Sequence, residues 1–76
     1  MLFAEWLDKR GISLEDVVEE VKKHGLEIST DMVYKVRNHR RRFSPEINRV
    51  IVDWSKGKVS WRELNFPEEF KKASGE

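Results

Sequence analysis

The apolar positions fall into short helical stretches separated by glycines, serines and prolines. Leu2, Phe3, Trp6 and Leu7 share one helical face, and Lys9-Arg10 followed by Gly11 marks a C-terminal stop. Ser13-Leu14-Glu15-Asp16 has the form of a capping box, with a hydroxyl able to accept from an orphan backbone N–H. Leu14, Val17, Val18 and Val21 then form a stripe, leaving Glu15, Asp16, Glu19, Glu20, Lys22 and Lys23 outside. Early acids and late lysines complement the helix dipole, and Gly25 ends this second helix.

Leu26-Glu27-Ile28 makes a short connection, after which Ser29 or Thr30 caps a third helix running from about Thr30 to His39. Met32, Val33 and Val36 face inward on it, while Thr30, Asp31, Tyr34, Lys35, Arg37 and Asn38 are polar and outward. His39-Arg40-Arg41-Arg42 continues or frays its end. Ser44-Pro45 restarts a helix, because proline at the first helical position sacrifices no hydrogen bond. Ile47, Val50, Ile51 and Trp54 follow as the cleanest stripe in the chain, up to Gly57. Ser60-Trp61-Arg62-Glu63 is a second capping box, opening a helix of one or two turns that carries Trp61 and Leu64. Pro67 allows a further turn through Phe70, and residues 71–76 read as a frayed tail. Lys58-Val59 would alternatively form a short strand, but one strand has no evident partner.

These signals predict an all-α bundle of four to five short helices over residues 1–70. Trp6, Trp54 and Trp61 are expected in its core, whereas Phe66 and Phe70 either close that core or supply a dimer interface. With 76 residues, 38% of them hydrophobic, the chain has material for one small core and no second domain or large cleft. The absence of cysteine excludes disulfides and thiolate metal sites. No apolar run is long enough for a membrane span or a signal-peptide core, so a membrane is not an expected partner, and without room for a large cleft neither is a small-molecule substrate. Catalysis is not expected either: there is no supported Ser/His/Asp set, no glycine-rich phosphate loop and no carboxylate pair in an apolar setting. His24 and His39 have no ligand-type neighbours in suitable spacing, so no zinc and no other cofactor is expected.

The formal net charge of +1 conceals a strong asymmetry. Residues 1–31 sum to −4, residues 32–62 to +7 and residues 63–76 to −2, a pattern suited to one localised polyanion contact. The basic block opens on the second of two helices joined by a glycine-containing turn, the sequence form of a helix-turn-helix. Such a motif offers side chains to base edges from the first turns of its second helix. Base contacts are expected from Thr30, Asp31, Tyr34, Lys35 and Asn38. Threonine can pack on a thymine methyl, aspartate can accept from a cytosine amino group, and lysine can donate to guanine. Phosphate contacts are expected from Ser29, Arg37, His39, Arg40, Arg41 and Arg42, with a strong salt dependence. Asp31 suits a helix dipole as well as a base, and an arginine run is in most proteins a solvated surface.

From Ser13 to Asn38 the chain resembles the lambda repressor/Cro-like group, including short phage and prophage Cro or antitoxin-type regulators. The likeness is carried by Ser13, the Val17/Val18/Val21 stripe, Gly25, Ile28-Ser29, Val33 and Val36. Ser44-Pro45-Glu46, the stripe ending at Trp54, and Gly57 through Leu64 are similar to the C-terminal half of small Cro-like proteins. The resemblance implies a cytoplasmic, nucleoid-associated transcriptional regulator, dimeric on a palindromic double-stranded operator. A competing expectation is a protein-interaction module that binds RNA polymerase, a toxin or another regulator through the acidic face of Glu15, Asp16, Glu19 and Glu20. RNA binding has less support, since no aromatic sheet platform or glycine clamp loop is present.

Overall fold

The computed structural model describes residues 1–66. They form α1 (Phe3–Arg10), α2 (Leu14–Lys23), α3 (Thr30–Arg37), α4 (Pro45–Trp54) and α5 (Trp61–Asn65), with no strand among the described residues. The strand alternative at Lys58-Val59 is therefore not taken. The turn expected after Pro67, the place of Phe70 and the tail at residues 71–76 lie outside the described residues.

Three helices begin on serine caps. Ser13 Oγ accepts from the Asp16 N–H at 3.1 Å and the Ser13 N–H donates to Asp16 Oδ2 at 3.0 Å, a reciprocal capping box. Ser60 and Glu63 repeat it on α5, at 3.2 and 3.0 Å. Ser29, rather than Thr30, caps α3, accepting from the Met32 N–H at 3.1 Å. Ser44 makes no side-chain cap, and α4 instead starts on Pro45.

The ends of α3 and α4 depart from the sequence expectation for one physical reason. α1 and α2 stop at left-handed glycines, Gly11 (φ 64°) and Gly25 (φ 79°), with the next residue's N–H bonded back to Leu7 and Val21. α3 and α4 close in the same way without glycine. His39 (φ 65°) and Lys56 (φ 56°) take the left-handed position, and the N–H groups of Arg40 and Gly57 return to the carbonyls of Lys35 and Val52 at 2.8 and 2.9 Å. Hence α3 ends at Arg37 with Asn38 as its cap, not at His39, and α4 ends at Trp54 before Gly57 is reached.

Leu7, Val17, Val21, Val33, Ile51 and Val59 are almost completely buried at the centre. Edge-to-face aromatic pairs extend this core, Phe3 on Phe43 at 5.5 Å and Trp6 on Trp54 at 5.1 Å. Phe43 carried no assignment in the sequence and Val59 only the strand alternative, yet each is a buried anchor inside a loop. Trp61 corrects an expectation: it is 42% exposed, because Val59 and Leu64 already occupy the core beneath α5. Phe66 is also exposed. Among the described residues no helix is long and apolar enough to cross a membrane.

The two ends of the described chain meet at Glu63, which receives hydrogen bonds from the Met1 ammonium, the Ser60 N–H and the Ser60 hydroxyl. Burial opposes its charge, but the ammonium and the two Ser60 donors outweigh burial and hold the carboxyl below its ordinary 4.5. A lowered folded pKa means that this stabilisation is complete above about pH 4.5 and fades as pH falls through the lower folded value. The denaturation midpoint of the wild-type protein is expected to fall more steeply than that of Glu63→Gln between about pH 5 and pH 3, the two converging in acid. Parallel falls would show that another carboxylate governs the acid limb.

Candidate nucleic-acid interface

α2 and α3 pack on each other more extensively than any other pair of helices among the described residues. Val33 and Val36 fix α3 against the core, Met32 is half-buried, and the opposite face is left to solvent. Two rows at four-residue spacing lie on that face: Thr30, Tyr34 and Asn38 in one, Asp31 and Lys35 in the other. Tyr34 is 51% exposed and so belongs to the surface. α3 has eight residues, which at 1.5 Å each make roughly 12 Å, about the width of a DNA major groove.

The cations of α3 are already engaged within the chain. Lys35 Nζ lies 3.1 Å from Asp31 Oδ2, one turn back on the same helix. Arg37 Nη2 donates to Asp8 Oδ1 at 2.6 Å, an ion pair that ties the end of α3 to α1 across 29 positions. Asp8 has no signal in local spacing, since nothing in α1 alone sets it apart from the other surface acids. Only its place in the fold identifies it.

The connection between α3 and α4 is held at two points. Phe43 enters the core against Phe3. Arg42 turns back and donates to three carbonyls, Nε to Asn65 at 3.0 Å and Nη1 to His39 at 3.3 Å and Arg41 at 3.2 Å. The Asn65 side chain accepts from the buried Asn48 amide at 3.2 Å, which extends this brace to α4. Arg40 and Arg41 are left exposed, with no ion pair among the described residues. Of the six residues expected on phosphates, then, Arg40 and Arg41 face solvent, Arg37 is matched by Asp8, and Arg42 braces the loop. The Ser29 hydroxyl is engaged in its cap, and His39 shapes the turn at the end of α3.

Elsewhere α2 exposes Glu15, Asp16 and Glu19, while Glu20 is paired with Lys23 at 3.6 Å and faces His24 at 3.5 Å. An open groove of about 500 Å³ lies beside Trp61, with Leu26, Pro45 and Val50 as its apolar lining and Glu46 and Arg49 among its polar residues. Among the described residues no three His, Asp or Glu side chains come together as a metal site. The chain matches no protein-family model, no curated protein and no solved structure.

Proposed function

We propose that the chain is a sequence-specific regulator of transcription that binds double-stranded DNA through a helix-turn-helix formed by α2 and α3. The observation that carries the proposal is a solvent-facing polar side of α3 adjoining a braced loop whose exposed Arg40 and Arg41 have no ion pair among the described residues. α3 enters the major groove, where Thr30, Asp31, Tyr34, Lys35 and Asn38 meet base edges. Arg40 and Arg41 hold the phosphate backbone and set register without reading sequence. The regulator is Cro-like and works in the cytoplasm on the nucleoid.

The proposal includes a homodimer, at least on DNA. Trp61 shares its groove with Leu26, Pro45 and Val50, and the same groove carries both Glu46 and Arg49. A surface with one acid and one base can meet a second copy of itself across a twofold axis with opposite charges facing. Two α3 helices then lie about 34 Å apart and read an inverted repeat.

Selection of bound duplexes from a random pool tests this directly. An enriched, symmetric motif is expected, and Lys35→Ala is expected to relax one guanine position in each half-site at a cost of about 1–3 kcal/mol there. Recovery of unselected sequence would sink the proposal. The exposed acids Glu15, Asp16 and Glu19 favour a second reading, in which α2 docks a basic protein partner. Retention of such a partner by the immobilised domain after nuclease treatment would support it.

A further inference from the structure

The acids that neutralise α3 are not needed to build it. Leu7, Val33 and Val36 pack without them, the helix is capped by Ser29, and both ion pairs sit at the surface, with Asp8 and Asp31 more than two-thirds exposed. Exposed pairs of this kind add little to stability. Their common property is location: each covers a cation of the helix proposed to meet DNA, Lys35 beside its exposed rows and Arg37 at the edge of that face next to the buried Val33 and Val36.

Taking the DNA-binding proposal above as its basis, we infer that Asp8 stands in for a DNA phosphate and holds down the affinity of the domain for every duplex. It holds the Arg37 guanidinium at 2.6 Å in the free protein and yields it when a backbone phosphate takes its place. A carboxylate offers the same planar pair of acceptors that a phosphate presents to arginine. A phosphate of any duplex that takes Arg37 must first displace this partner. The exchange therefore lowers affinity for operator and random duplex alike. Asp31 holds Lys35 in the same way, one turn earlier on the same helix. α3 is thus electrostatically quiet until docked, and loose attraction falls to Arg40 and Arg41.

The exchange leaves a mark on salt dependence. When Arg37 leaves Asp8 for a phosphate, the released carboxylate recruits a cation and offsets part of the counterion release from DNA. Asp8→Asn removes that offset. It is expected to tighten binding to random and operator duplex alike by up to about fivefold and to steepen the slope of log affinity against log salt by up to about one unit. Glu19→Gln is the control, since it removes the same charge from an exposed acid with no ion pair among the described residues. It is expected to move neither the slope nor the affinity by as much. A thermal melt of each variant confirms an intact fold.

Asp8→Asn that weakens operator binding and flattens the slope would overturn the inference, showing that Asp8 positions Arg37 rather than competes for it. Equal effects from Asp8→Asn and Glu19→Gln would overturn it too, leaving only net charge. If the wild-type protein selects no motif at any salt, the DNA-binding proposal fails first and this inference falls with it. A wild-type protein with a clear motif but an unchanged Asp8→Asn slope refutes the inference alone.

Discussion

Ile51→Ala is expected to remove a large share of the protein's stability. Ile51 has no exposed surface and sits in the α4 stripe among the core side chains that join α4 to α2. Truncating a buried isoleucine costs about 2–5 kcal/mol, because the transfer energy of the lost methylenes is joined by the energy of the cavity left behind. A chain of 76 residues has roughly 4–11 kcal/mol of stability to lose. With no cysteine in the sequence, no disulfide supplements the core. Trp61→Ala provides the contrast. Although it removes a larger side chain, Trp61 is 42% exposed, and the monomer should retain most of its stability. Denaturant titration followed by circular dichroism checks both variants. A wild-type midpoint for Ile51→Ala, or a collapse for Trp61→Ala, would mean that the core has been drawn around the wrong residues.

The same contrast shows where sequence and fold part company. Helix starts were legible because a serine cap and its partner lie three residues apart, as at Ser13 with Asp16 and at Ser60 with Glu63. Helix stops were legible only where glycine supplies the left-handed turn. At His39 and Lys56 tertiary packing imposes that backbone on residues that ordinarily avoid it, and no local pattern marks the spot. Phe43 and Val59 were hidden for a related reason: each is a lone apolar residue in a polar loop, and burial of a single position generates no period. Trp61 erred in the opposite direction, since an apolar residue at helical spacing reads as core even when smaller neighbours have filled the space. Among the candidate contact residues, the face of α3 followed directly from the positions of Val33 and Val36. The pairing of Arg37 with Asp8 and the turning back of Arg42 depend on groups 29 and 23 positions away. Spacing rules carry no information at that range.

That difference among the arginines leads to the largest expected change in DNA binding. Arg40→Ala/Arg41→Ala should weaken binding to every duplex, operator and random alike, without lowering the melting temperature. Both side chains are exposed and neither braces the loop. Each phosphate that goes without its arginine reduces the salt slope by about 0.9, so the double variant should flatten it by up to about 1.8 units. Over a fourfold rise in salt, each unit of that kind alters relative affinity by roughly three- to fourfold. Arg42→Ala should do the reverse. Its guanidinium satisfies the carbonyls of His39, Arg41 and Asn65, and removing it leaves them partly unpaired beside α5, at a cost of about 1–3 kcal/mol in stability. Lysine cannot rescue that deficit, because one ammonium does not reproduce a planar fork that reaches separate acceptors. The salt slope of Arg42→Ala should stay near the wild-type value once the protein is measured below its melting transition. Adjacent arginines in one basic run would then be separated experimentally, two by affinity and one by stability. A flattened slope with an unchanged melt for Arg42→Ala would return that residue to the phosphate backbone, and the loop brace would have to be sought elsewhere.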